Sequence, residues 1–519
     1  MKKLLYLLIL GFVVAASSCN KAKVKPTPIP PPVDTTAKPS KTGSTLDLIK
    51  DSVYLYDDEE YLWYASLPTY ATFKPRTVTG ADDKTALDNE VNQLSQFAIN
   101  PATGKPYEYY GDGTAKYAFL DDGTEQGRLN GVNGDFGFQP GYETATDLRV
   151  AYVYAGSPAD LAGLKRGYKI TAINGRTSLG YDVGNFGDGS GNNYNFITNA
   201  IFYSNTLTMT VLKPDATSIN VSLSTANYNV NPVLTYKTFD EGNGHIVGYI
   251  VFNSFTSTNN AEPQLNTAFN YFTSQGVTDL VVDLRYNGGG VVSTAEYLDD
   301  LIVPSSKNGT TMYTAYYNDK LQSDNYPLLA TQFNINPGDF KPANNTAVFN
   351  KVGSLNITRV FFIITGSTAS ASELTINNLR PEMDVEYIGN TSYGKPVGFF
   401  GIPINKYTYY TPEFSVLNSA GQGGYYSGFT PGDATHPGVL DNDDVTKDFG
   451  DPTEGLLAHA LNFVKTGTYS ISTPAVQSLS SNRGVFSIQD KNIAALKFNH
   501  QKSFGLMIQN KKLKPKFKR

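Results

Sequence analysis

The chain has 519 residues, enough for several separate hydrophobic cores. Its 42 Lys and Arg against 47 Asp and Glu give a formal charge of −5, with no basic domain, so a nucleic-acid partner is not expected. It holds one cysteine, which excludes disulfides within the chain and leaves stability to core burial.

Residues 1–18 open on Lys2-Lys3, continue through an apolar run and end in small residues. That reads as a secretory signal peptide, because the run is too short to span a bilayer. Loss of Lys2 and Lys3 would take the formal charge from −5 to −7. Ala16-Ser17-Ser18-Cys19 resembles the lipobox of bacterial lipoproteins, which implies lipidation at Cys19 and a lipid-anchored place in the bacterial cell envelope. Residues 19–44 are rich in Pro, Thr and Lys, cannot bury enough apolar surface to fold, and read as an extended tether.

Residues 45–128 start helical. Thr45 and Asp47 can cap a first helix in which Leu46, Ile49, Val53, Tyr54 and Leu62 recur at helical spacing. A second helix is expected over residues 86–97. The run Asp57-Asp58-Glu59-Glu60 is expected to be a solvated face and not a metal site; neither a metal nor a cofactor is anticipated.

Residues 129–226 read as a mostly β module, with a strand at 149–154 and a Gly- and Asn-rich loop inserted over 176–200. Ser157-Pro158-Ala159-Asp160-Leu161-Ala162-Gly163-Leu164 and the stretch ending in Asn174-Gly175 resemble a PDZ domain. The resemblance implies capture of a polypeptide C-terminus as an added strand. It also implies that Phe136, Gly137 and Phe138 form the loop that meets the tail.

Residues 227–468 alternate strands at 246–252, 279–283 and 360–365 with helices near 261–275 and 294–301, an α/β pattern with partly parallel pairing. Within it, Gly366-Ser367-Thr368-Ala369-Ser370-Ala371-Ser372-Glu373-Leu374 lies between a buried strand and a helix that stops at Arg380-Pro381. A strand-to-helix turn can hold a hydroxyl in the open, with free helix N–H groups beside it. Lys395 follows Ser370 by 25 residues in a nearly uncharged stretch. A lysine can serve as a base when burial or a cationic neighbour lowers its pKa. Asp283-Leu284-Arg285-Tyr286-Asn287-Gly288-Gly289-Gly290 follows another strand.

These three stretches, in this order, resemble the S41 serine peptidases, the carboxy-terminal processing or tail-specific proteases. The resemblance implies a multidomain α/β (α+β) protein whose core is shared with tricorn-type proteases and is ClpP/crotonase-like, with a small helical domain over residues 45–128. It implies Ser370 as nucleophile, Lys395 as base, and an oxyanion hole from Ala371 with Gly288 and Gly289. It further implies polypeptide substrates cut near their C-termini. The family's glutamine four residues after the lysine is replaced by Phe399. That departure keeps open, as the alternative, a surface-tethered PDZ scaffold with a decayed peptidase core, against which the retained Ser370, Lys395 and Asn287–Gly290 argue. Ser392-Tyr393-Gly394-Lys395 also matches the S-x-x-K pattern of penicillin-binding proteins, but its glycine-rich surroundings and the lack of companion motifs argue against that enzyme class. Residues 469–519 end in a strongly basic stretch that reads equally as a flexible arm or as a packed extension of the core.

Overall fold

In a computed structural model, the described residues are 39–471 apart from 112 and 184–190, together with Phe498, 506–509 and the backbone of 514–515. The expected signal peptide, Cys19, most of the tether and most of the basic end lie outside the described residues.

The N-terminal unit contributes helices α1 (Thr45–Glu60) and α2 (Asp83–Leu94). Ser44, not Thr45, caps α1: its Oγ accepts from Asp47 N–H while the Asp47 carboxylate accepts from Ser44 N–H. Helix α2 starts three residues before the expected stretch, behind Asp82, whose carboxylate accepts from Thr85 N–H at 2.7 Å. Ile49, Val53, Leu87 and Val91 pack into the same hydrophobic core as the central sheet.

The acidic run is not a solvated face, because Asp57, Glu59 and Glu60 are buried. The Glu59 carboxylate accepts from the N–H groups of Leu328 and Leu329 at 2.8 and 2.6 Å, and Tyr409 donates to Asp57 at 2.8 Å. Glu60 and Glu90 have no hydrogen-bond partner on either oxygen among the described residues. Burial pushes both carboxyls well above the usual range. The folded chain therefore keeps protons that the unfolded chain loses above about pH 4.3, so this contribution to stability is present in acid and is lost as pH rises. Glu60→Met, and independently Glu90→Met, should stabilise the protein at pH 8 by about 1–3 kcal/mol, the cost of an unsatisfied buried polar group. The gain should shrink at pH 5; thermal unfolding at the two pH values measures it.

The module expected from the sequence is a five-stranded antiparallel sheet, β1 (Phe138–Thr144), β2 (Asp147–Val153), β3 (Lys169–Ile173), β4 (Thr206–Leu212) and β5 (Ser218–Ser224), paired in chain order. It has its own apolar core. The last nine residues of the expected loop belong instead to helix α3 (Asn192–Phe202), whose Tyr194, Ile197 and Ile201 fill that core; its polar asparagines masked the apolar spacing. Strand β1 has β2 on one side and no partner on the other among the described residues. The Arg166 guanidinium joins the module to the larger core, donating to Asp443, Tyr286 and the Lys447 carbonyl.

The central sheet has the order β6 (Val233–Gly242), β7 (His245–Phe252), β8 (Asp279–Asp283), β10 (Arg359–Ile364), β11 (Asp384–Gly389) and β12 (Gly438–Leu440). Only β6 is antiparallel to its neighbour. Alternate residues face two cores, Val282 and Phe362 on one side and Val281 and Phe361 on the other, hence the nearly unbroken apolar runs. Helices α4 (Thr258–Gln275), α5 (Val292–Ile302) and α6 (Ala371–Leu379) cover the first face and α7 (Gly455–Thr466) the second. Between β8 and α5 lies the short strand β9 (Gly289–Val291), which pairs in parallel with β13 (Leu506–Ile508).

Candidate active site

Strand β10 delivers the chain to a tight turn ending at Ser370. Thr368 N–H donates to the Thr365 carbonyl at 2.8 Å, and Thr368 Oγ1 donates to the Leu284 carbonyl at 2.8 Å. Ser372 Oγ and Ala369 N–H both donate to the Asn287 carbonyl, at 2.9 and 3.1 Å. The small hydroxyls of this stretch thus fasten the turn to the glycine run. Ser370 has φ 60° and ψ −109°, outside the regions an L-residue prefers, a strain of about 1–3 kcal/mol. Its Oγ is buried and makes no hydrogen bond among the described residues. The turn holds the hydroxyl but leaves it uncommitted.

The loop carrying Lys395 is tied to this turn through one buried carboxylate. Glu373 Oε2 accepts from Ser370 N–H at 2.9 Å and from Lys395 N–H at 2.8 Å. Its Oε1 accepts from Gly394 N–H at 2.7 Å and from Ser392 Oγ at 2.5 Å. Burial raises the Glu373 pKa, and these four donors oppose the shift. Ser392 Oγ also accepts from Phe429 N–H at 2.8 Å. Ser392 lies in a loop with its hydroxyl engaged on both sides, which removes the S-x-x-K reading.

The Lys395 side chain is fully buried, and its amine stands 3.6 Å from the centre of the Phe399 ring. Burial holds its pKa well below the usual lysine value; nearby Glu108 and Glu373 oppose the shift and Lys116 adds to it. Two of these three neighbours come from the N-terminal unit. Glu108 accepts from Tyr61 Oη at 2.8 Å and from the N–H groups of Tyr117 and Ala118 at 3.1 and 2.8 Å. Lys116, itself lowered by burial to about 8, donates to the carbonyls of Tyr393 and Gly394, each at 3.1 Å. Tyr117 Oη donates to the same Gly394 carbonyl at 2.6 Å.

The glycine run lies against the serine turn. A Cβ on Gly289, where φ is +99°, would stand 2.9 Å from the Ala369 carbonyl oxygen and 3.0 Å from Ala371 N, so no side chain fits there. Gly289 N–H already donates to Asn287 Oδ1 at 2.9 Å. Among the described residues the N–H groups of Gly288 and Ala371 have no acceptor, and Ala371 is the first residue of α6. Two of the three expected oxyanion donors are therefore free, and the third shapes the loop.

In the β module, the rings of Phe136 and Phe138 are buried in its core. Gly137, at φ +81°, donates its N–H to Asp135 Oδ1 at 2.8 Å. Ala159 N–H donates to the Phe136 carbonyl at 2.9 Å. These three residues join β1 to the short helix Pro158–Leu161.

Sequence reasoning passed over Glu373, Glu108 and Lys116. Glu373 stood in the serine stretch, where its spacing from Ser370 is that of a helix-capping pair. Glu108 and Lys116 lie more than 270 residues from Lys395, with no local signal to connect them.

Residues 246–431 match the model of peptidase family S41, and residues 149–186 match a PDZ domain model. The chain is 25% identical over 310 residues to a carboxyl-terminal-processing protease of Picosynechococcus, covering 57% of this chain and 63% of that protein. It is 23% identical over 324 residues to the carboxy-terminal processing protease CtpB of Bacillus subtilis, covering 61% of this chain and 58% of that one. It thus spans about three-fifths of the length of these relatives. A solved structure from Bacteroides fragilis assigned to the S41 proteases superposes with a TM-score of 0.53 at 22% identity, over 80% of this chain and 97% of that one, a likeness of fold. Within this multidomain α/β chain, the serine turn, the lysine loop and the glycine run thus all fall in the residues that match family S41, and the β module holds those that match a PDZ domain.

Proposed function

We propose that this protein is a serine endopeptidase that cuts polypeptides near their C-termini with a Ser370–Lys395 dyad. The observation that carries the reading is the Glu373 carboxylate, which joins the backbones of the uncommitted serine and of the buried lysine. Neutral Lys395 takes the proton from Ser370 Oγ as the oxygen attacks a peptide carbonyl. The N–H groups of Gly288 and Ala371 receive the charge that develops on the carbonyl oxygen. As the C–N bond breaks, the Lys395 ammonium returns its proton to the departing amine. Water, deprotonated by the now neutral Lys395, then attacks the acyl group, and the Lys395 ammonium returns that proton to Ser370 Oγ as the acid departs.

The PDZ module recruits the substrate tail through the loop of Phe136, Gly137 and Phe138. Cys19 carries a lipid that places the catalytic body at the bacterial cell envelope; no described helix is long and apolar enough to cross a membrane. The domain limits read from the sequence go with this reading: tether to 44, helical unit to 128, PDZ-like domain to 226, peptidase core to 468. Against a decayed scaffold stand the strained turn and the free N–H pair, which a binding module does not need.

The full chain should cleave an unfolded protein ending in apolar residues, and Ser370→Ala should not, as followed by mass spectrometry. Equal cleavage by the variant would sink the dyad. Binding of tails with no cleavage by the parent would favour the scaffold. A second outcome concerns Lys116, whose charge helps to keep Lys395 neutral. Lys116→Met should let Lys395 hold its proton to higher pH, so the acid limb of kcat/KM moves upward, and Lys116→Arg should move it less. A profile that does not shift would contradict that role.

A further inference from the structure

Two sites that an extended polypeptide would need are filled by this chain's own later residues. Phe498 is fully buried in the PDZ module. Its ring stacks on Tyr142 of β1 at 5.8 Å and meets Tyr194 and Phe202 of α3 at 5.2 and 6.1 Å. It therefore closes the space between the strand at the open edge of that sheet and the helix beside it.

Eight residues later, β13 lies in the candidate active site. It pairs in parallel with β9, Leu506 opposite Gly289 and Ile508 opposite Val291. Leu506 N–H donates to the Gly288 carbonyl at 3.0 Å. On its other edge, Phe399 N–H donates to the Met507 carbonyl and Gln509 N–H to the Phe399 carbonyl, both at 2.9 Å. One short strand is thus held on both edges, by the glycine run and by the residue four places after Lys395. The point where a Cβ would stand on Gly289 is 2.3 Å from the Leu506 carbonyl oxygen and 3.0 Å from Ala371 N. The Leu506 carbonyl oxygen and Ala371 N thus both crowd the same side of Gly289. Leu506, Met507 and Ile508 are all buried. A cavity of ≈ 100 Å³ beside the groove is lined by Gln139 and Tyr152 of the PDZ module, by Arg128 and Asn253, and by Gly288 and Leu506.

We propose that Phe498 and residues 506–509 are a resident pseudosubstrate: the aromatic pocket between β1 and α3, and the groove between Gly288–Val291 and Phe399, are the two sites that hold a substrate tail, and this chain's own segment occupies them until a competitor displaces it. The proposal rests on the peptidase reading for the role of the groove. The ligand class follows from the occupant: a peptide with an aromatic residue, set in an apolar pocket, eight positions ahead of Leu506-Met507-Ile508, which is bound as a strand by main-chain pairing. A tethered occupant competes at an effective concentration of about 1 mM, so micromolar free peptide should be excluded from the parent protein.

The test uses the full chain carrying Ser370→Ala, so that no cleavage interferes, and a fluorescent peptide with the sequence of residues 498–509. Fluorescence anisotropy should show the peptide binding the Phe498→Ala, Leu506→Pro double variant about 100-fold more tightly than the parent. In the Ser370 background, the double variant should cleave an unfolded protein about 10-fold faster than the parent, as expected of a released tethered competitor. Equal peptide affinity for parent and double variant, or no binding to either, overturns the proposal and makes β13 a fixed part of the fold. Should the double variant fail to fold, Phe498→Ala alone, read with the parent peptide and with a peptide carrying the same change, gives the same decision at the aromatic pocket. Binding uncovered by the variant, with no cleavage by any form, would leave this proposal standing and sink the peptidase reading.

Discussion

Lys395→Met should reduce cleavage by about 10²–10⁴-fold, the usual contribution of a positioned base, while the protein melts at a higher temperature than the parent at pH 7. The two effects have one cause. The amine is fully buried beside the Phe399 ring, and burial disfavours its ammonium form. Between the lowered pKa and the unfolded value of about 10.4, the unfolded chain carries a proton that the folded chain lacks. Stability contributed by this group therefore rises with pH across that window and is weakest below it. Methionine has a similar volume and no charge, so it removes both the base and the penalty. The stability gap between variant and parent should close towards pH 10. A variant that loses stability at pH 7 would mean that Glu108 and Glu373 outweigh burial and that the lysine rests as an ammonium ion. It would then be no base until substrate arrives.

Much of the fold could be read in the chain because apolar runs and breakers are local. The strand over Asp279–Asp283 and the helix over Ala371–Leu379 fall where β-branched runs and Arg380-Pro381 put them. What escaped was pairing over long range. Asp57 to Glu60 reads as a solvated face because four acids in a row carry no sign of their partners. Those partners are Tyr409 and the Leu328 and Leu329 amides, the latter about 270 residues away. The S41 resemblance points to Ser370 and Lys395, yet no local signal shows the Lys395 environment. Burial lowers its pKa, Glu108 opposes the shift and Lys116 adds to it, and both of those residues lie on a segment with no motif of its own. Leu506-Met507-Ile508 is too short to show a period, and its two edges pair with residues more than 100 positions away. Such a strand is legible only once the groove that holds it is known.

Glu373→Gln should cost both stability and activity, and more of each than the small change in shape suggests. All four groups that face the carboxylate are donors: three backbone N–H groups and the Ser392 hydroxyl. A carboxylate can accept from all four. A glutamine amide offers one accepting oxygen, and its NH₂ would point at donors. At least two of the four would lose their acceptor in a buried site. Hydrogen bonds to a charged group are worth about 1.5–3 kcal/mol each, so a loss of about 3–5 kcal/mol is expected in urea unfolding. The damage falls on the two segments that carry the proposed dyad. With the Ser370 and Lys395 backbones no longer held by one carboxylate, kcat should drop at least about 10²-fold, as a misplaced catalytic group does. Tail binding, measured by anisotropy, should change little, because the PDZ module keeps its own core. Glu373→Asp keeps the charge but shortens its reach and should fall between the two. If Glu373→Gln kept near-parental stability and turnover, the carboxylate would be a passive helix cap and the dyad would be positioned by something else.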